Sequence, residues 1–229
     1  MRGLAVALVL VLSILSSVHV AQAKAYPVDR AVVRFSAPDI GGVRSPRFVF
    51  ERQLAFEARL EALADTAERP NSGQPYLRRH VRAALERIVA ETLLSSLRVD
   101  PNPSEREIEV QTESARRILL DRVGGSDALR NAARAEGIAD SEITRVLRRR
   151  ARASLYLDRM VAPMLTPTRA ELREIYMSAR HPYRSMDLDR AEPLLRRWVV
   201  GQRLAEAIET YFQNTRQRLQ IVLLPRVSR

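Results

Sequence analysis

Two short apolar runs of strand length stand near opposite ends of this chain, and the roughly 180 residues between them are punctuated like helices. The first, VDRAVVRF, alternates Ala31, Val33 and Phe35 with Arg30, Val32 and Arg34, the period of a half-buried strand. The second, LQIVLLP, is terminated by Pro225. A strand standing alone leaves backbone groups unsatisfied on both edges. The simplest arrangement pairs the two as a small ribbon and brings the chain ends together. The expected fold is therefore mainly α, a multi-helix domain with a two-stranded ribbon.

The helical part divides at its glycines and prolines. Ser45-Pro46 reads as a helix start with proline in the first turn, continuing through Val49, Phe56, Leu60 and Leu63 on one face. From about Pro75 to Leu97, Leu77, Val81, Ala84, Leu85, Ile88 and Thr92 recur at three and four residues, which predicts a central core helix. Ser104 and Glu107 form a capping box for a helix that runs to Val123 and stops at Gly124-Gly125. A short helix over 126–136 ends at Gly137, and a longer one runs from Asp140 or Ser141 to near Pro163. Thr166 before Pro167, or Thr168 with Glu171, caps the next. The last helix spans about 188–216, with Ala191, Leu195, Trp198, Ala205, Ile208 and Phe212 inward, and Pro193 fits only if it begins near Asp189 or kinks there.

Ahead of all this, residues 1–23 have the form of a secretory signal: Arg2, the apolar run Leu4 to Leu15, and Ala21-Gln22-Ala23 as the cleavage site. The competing reading is an uncleaved anchor, but Ser13, Ser16, Ser17 and His19 dilute the run. Cleavage after Ala23 leaves one domain over 24–229, periplasmic or secreted. The chain has no cysteine, so it has no disulfide framework, thiolate metal site, cysteine nucleophile or lipid-modified cysteine. Its net charge is +11, and Lys24 is its single lysine. Coding bias in a GC-rich genome and selection for arginine chemistry both explain this. An exported chain does not meet nucleic acid, so the anionic partners left are an anionic membrane surface and acidic stretches of unfolded clients.

Arg148, Arg149, Arg150 and Arg152 form the densest positive run, read first as a solvated helix face and second as an anionic contact. Tyr156, Met160 and Met164 recur every four residues, with Tyr176 and Met177 on the next helix. They either pack the core or, if exposed, offer a flexible apolar surface to clients. His80 and His181 lack neighbours in any catalytic pattern, and no cofactor or metal is expected.

The order of these elements resembles the N-terminal domain of the SurA-type periplasmic chaperones. VDRAVVRF stands at that family's opening strand, YLRRHVRAALERIVAETLLSSLRV at its long helix, and GGSDALRNAARAEGIADSEITRVLRRRARASLYLDRM before a Thr-x-x-Glu-Leu restart at Thr168. LLRRWVVGQRLAEAIETYFQNTRQRLQIVLL is similar to the closing helix and strand. The family's parvulin isomerase would fall after Tyr176, where only SARHPYRSMD lies. The resemblance implies a non-enzymatic, chaperone-like binder of unfolded or extended polypeptides, with outer-membrane protein precursors as clients. The alternative is a dedicated assembly or structural partner in the cell envelope that keeps the chaperone fold.

Overall fold

The computed structural model describes residues 29–38, 43–66, 74–178, 180–216 and 219–225. The expected signal, residues 1–23, lies outside them. β1 (Ala31–Ser36) is the middle strand of a three-stranded antiparallel sheet, between β2 (Arg47–Phe50) and β3 (Gln220–Leu223). The mainly helical class and the pairing of first and last strands agree with the sequence reading.

The additional strand, β2, does not. Ser45-Pro46 opens no helix; the chain stays extended to Phe50, and α1 (Glu51–Ala64) begins at Glu51. The sheet explains this. Val49 lies opposite Val33 and both are buried, so pairing gives β1 a second neighbour and covers two β-branched side chains at once. The turn into α1 is fixed by the Glu51 N–H donating to the Arg30 carbonyl at 2.8 Å and by the Arg30 guanidinium on the Glu51 carboxylate. Leu63, expected on the inner face of α1, is exposed, whereas Glu57 is fully buried.

α2 (Arg78–Ser96) is the central helix the periodicity predicts, packing on α1, on α5 (Asp140–Tyr156) and, through Ile88, Val89 and Leu93, on the sheet residues Val33, Phe35 and Val49. Its first turn is capped by His80, whose Nδ1 accepts the Leu77 N–H at 3.0 Å. That leaves Nε2 protonated to donate to Asp65, 3.0 Å away. His80 is therefore a buried capping residue.

α3 (Glu105–Val123) carries the expected capping box, Ser104 Oγ accepting from the Glu107 N–H at 3.3 Å and Glu107 accepting from the Ser104 N–H at 2.8 Å. It ends on Gly124, whose φ of 88° is left-handed and favours glycine. α4 (Ser126–Ala135) follows, and Phe56, Leu60, Leu119, Leu129, Ile143 and Leu147 pack α1, α3, α4 and α5 around one apolar centre.

α5 does not stay α-helical to Pro163. It passes into a π-helical turn over Leu157–Val161 and a 3₁₀ turn over Ala162–Leu165. α6 (Arg169–Met177) starts from the Thr168 and Glu171 box rather than from Thr166. α7 (Leu188–Arg216) begins one residue before Asp189 and carries Pro193 inside it, in its second turn, where the missing N–H leaves the Asp189 carbonyl without its helical donor. Leu172, Leu195 and Val199 bury the contact between these two helices. Ala191 is buried as expected, while the side chain of Phe212 lies outside the described residues.

Candidate functional site

A groove of about 860 Å³ lies between α2, α3 and α5, and Ile208 of α7 with Leu219 and Ile221 of the closing segment also line it. Its size falls within the roughly 300–1,000 Å³ usual for ligand sites. The helices contribute Leu85, Leu94, Ala115, Leu119 and Leu157, a largely apolar wall. Where this lining meets solvent, Ile118 is 65 % exposed and extends the apolar surface outward.

Behind this wall lies an ion-pair network that reaches the groove through Glu91 and Arg150. The arginine run on α5 explains its origin. Residues 149 and 150 sit on the side of α5 that faces α1 and α2, where Glu57 and Glu91 wait. Arg149 Nη2 lies 2.7 Å from Glu57 Oε1 and 2.8 Å from Glu91 Oε2; Arg150 Nη2 lies 3.1 Å from Glu57 Oε2. Gln53 donates a further hydrogen bond to Glu57 at 3.3 Å. Two guanidinium groups and two carboxylates thus neutralise one another across three helices.

The two acids respond differently to the same partners. Burial alone would raise both, but at Glu57 the charges of Arg149 and Arg150 and the hydrogen bonds it accepts prevail and hold its carboxyl below the ordinary value. At Glu91 burial prevails, helped by repulsion from Glu57, and its carboxyl is raised. Arg149 feels desolvation too, yet Glu57 and Glu91 hold its proton more firmly than in water. Nearer the rim, Glu61 accepts from Arg87 Nε at 2.7 Å and also pairs with Arg122. Desolvation and the neighbouring Arg87 charge lower Arg122, against the pull of Glu61.

The residues singled out from the sequence fall in several places. Arg149 and Arg150 turn inward instead of forming a solvated face, because each finds two buried carboxylates there. Arg148 pairs with Glu105 at 2.6 Å, and Arg152 is exposed. Tyr156, Met160 and Met164 do not form one stripe, since the π-helical turn shifts the register after Tyr156. Met164 and Met177 are 75 % and 82 % exposed, and neither lines the groove. Tyr176 is a packing residue: it joins the Leu172 cluster and its hydroxyl donates to the Met186 carbonyl at 2.6 Å. His181 stacks on it, donates from Nε2 to the Tyr176 carbonyl and accepts the Tyr183 N–H at Nδ1.

Of those candidates only Arg150 lines the groove. The rest of the lining carries little mark in the sequence: Leu85 belongs to the apolar period that predicts a core helix, and Ile118 on α3 stands in no motif. Among the described residues no cluster of three or more acidic or histidine side chains could hold a metal, and no helix is long and apolar enough to cross a membrane. No family model, curated protein or solved structure matches the chain.

Proposed function

We propose that this protein is an exported, chaperone-like binder of unfolded or extended polypeptides, and that it carries out no reaction. The observation that carries the reading is the groove: apolar walls, an exposed Ile118 at its mouth, and polar groups that are largely engaged with one another. Such a surface gains from any apolar side chain placed in it, about 1.5–3 kcal/mol for a fully buried Leu or Phe, and selects little between sequences. The signal-like residues 1–23 and the resemblance to SurA-type chaperones support export and unfolded outer-membrane precursors as clients. Exposed arginines such as Arg152 provide for contact with acidic client stretches or an anionic membrane surface.

The test is suppression of light scattering by a urea-denatured outer-membrane β-barrel protein diluted into buffer with the purified protein. Ile118→Glu places a charge at the mouth of the groove without touching the core. It should raise the amount of protein needed for half-suppression roughly tenfold. Absence of suppression by the wild type sinks the proposal, and full suppression by a folded Ile118→Glu variant removes the groove as its site.

A further inference from the structure

The two edges of the sheet are chemically unlike. On the β1–β3 side the register pairs Val33 with Leu223, Arg34 with Val222, Phe35 with Ile221 and Ser36 with Gln220, and the Leu224 N–H donates to the Val32 carbonyl at 3.0 Å. In an antiparallel ladder alternate residues direct both backbone groups to the same neighbour. Gln220, Val222 and Leu224 therefore face β1. The N–H and C=O groups of Ile221 and Leu223 point away from it, to an edge that no described strand occupies.

Natural edge strands are usually guarded by charge, proline or brevity. β2 is guarded: Pro46 precedes it, Arg47 opens it, and α1 begins directly after Phe50. β3 is as short and is followed at one residue's distance by Pro225, but it reads Gln-Ile-Val-Leu, with no charge within the strand. Its outward-bonding residues are also the ones whose side chains share a face with Val33 and Phe35, the buried face of the sheet. There they stay uncovered, Ile221 at 44 % and Leu223 at 71 % exposure, and Ile221 lines the groove. An open row of backbone donors and acceptors thus runs beside an apolar groove.

We propose that the groove takes an extended polypeptide segment that adds to β3 as a fourth strand, apolar at every second position and uncharged there. This rests on the reading of the protein as a binder of unfolded chains, and it specifies how such a chain is held. A strand laid along β3 pairs with Ile221 and Leu223 and turns alternate side chains to the face those residues occupy, toward the groove. Arg87, Arg122 and Arg150 already have carboxylate partners within the protein, so the walls call for apolar rather than charged side chains. A helical occupant would leave the edge groups of β3 unpaired. A second copy joined β3 to β3 would leave the exposed Ile118 of the groove without cover.

The experiment measures binding by fluorescence anisotropy with a labelled peptide of ten alternating valines and threonines, with a lysine at each end. A second version carries N-methyl groups on the valine amides, which removes donors along one edge and keeps the side chains. The first should bind and the second should bind about tenfold or more weakly, as expected for losing two or more edge hydrogen bonds. In the protein, Leu223→Pro removes an N–H that faces outward and none that β1 uses, so the sheet should persist by circular dichroism while peptide affinity falls about tenfold. Leu223→Ala keeps that N–H and should cost only a few-fold.

Equal binding of both peptides by a protein that still suppresses aggregation overturns strand addition and leaves the binder reading standing. Binding of neither peptide, together with no suppression, defeats the binder reading itself. A dimer in sedimentation that Leu223→Pro dissolves, with no peptide bound, assigns the edge to a second copy and overturns the proposal.

Discussion

The helical body of α1 to α5 and the C-terminal pair of α6 and α7 are cohesive for different reasons. The body surrounds a broad apolar centre but also encloses a four-charge network, with Glu57 at its middle fully out of water and Glu91, Arg149 and Arg150 largely so. The pair rests on three buried side chains, Leu172, Leu195 and Val199, edged by Tyr176, Tyr183 and Trp198. Its charges pair nearer the surface: Arg203 with Glu171 at 3.2 Å and Arg169 with Glu192 at 3.4 Å bridge the two helices, while Tyr176 and His181 bond to nearby backbone carbonyls. The body therefore registers its helices through a charge network centred on a fully buried glutamate, whereas the pair combines a small apolar contact with more exposed ion pairs. Removing one group should have very different consequences in the two regions.

The largest effect is expected in the body. Glu57→Ala leaves Arg149 and Arg150 buried with Glu91 as their remaining carboxylate in the network. Breaking such a network from one side costs about 3–5 kcal/mol, a fall in Tm on the order of 10 °C by thermal denaturation. The geometry adds a second arm. Arg150 Nε lies 3.0 Å from Glu91 Oε1, yet its N–H is not aimed at an acceptor. A network with one imperfect contact should be replaceable. Substituting all four members together, Glu57→Leu, Glu91→Leu, Arg149→Met and Arg150→Met, should recover most of the loss. If the fourfold variant is as unstable as Glu57→Ala, these charges contribute net stability and not only registration.

A smaller and more local effect is expected from Leu195→Ala, which empties the fully buried centre of the α6–α7 contact. The cost should be about 2–4 kcal/mol. Because few other elements share that contact, amide exchange should accelerate along α6 and the first turns of α7 while α2 and α5 keep their protection. Uniform acceleration through all helices would show that the two regions unfold as one and would erase the distinction.

Much of this organisation is legible in the chain, for reasons that are local. The boxes at Ser104 and Thr168, the left-handed Gly124 and the alternation in β1 are each decided within a few residues. What could not be read depends on distance. Arg149 reaches partners 92 and 58 residues away, and a run of arginines looks the same whether it meets water or two buried glutamates. The helix signal at Ser45-Pro46 is genuine but weaker than the pairing that β1 offers Val49. The groove is harder still: Leu85 and Ile118 are ordinary apolar residues, and only the placement of α2 against α3 and α5 makes them the lining of one groove. The methionine spacing is lost because a π-helical turn intervenes, for which no single residue is diagnostic.

The smallest effect tests the same contrast through pH. Glu91 is raised in the folded protein, so on acidification it takes up its proton in the native state before the unfolded chain does. Between its folded value and the ordinary glutamate value the native state holds more protons, and stability should rise slightly as pH falls. Glu57 is lowered, so its contribution is complete above the ordinary glutamate value. Below that value the unfolded chain binds the proton first, and the contribution is lost as pH falls through the folded value of Glu57. Thermal unfolding followed at a series of pH values should therefore show a shallow gain and then a decline. Glu91→Gln should flatten the gain, and the fourfold apolar variant should weaken both features, leaving the parts due to Asp158, raised by burial, and to Glu107 and Glu171, lowered by the hydrogen bonds they accept. Local destabilisation of α6 and α7 by Leu195→Ala should leave most of the profile in place, since Glu57 and Glu91 lie in the other region and only Glu171, held below the ordinary value by the Thr168 N–H and Arg203, adds to the decline from α6. If instead Leu195→Ala abolishes the profile, the packing of the C-terminal pair is what keeps Glu57 and Glu91 buried, and the two regions are coupled through α5 and the turns that follow it.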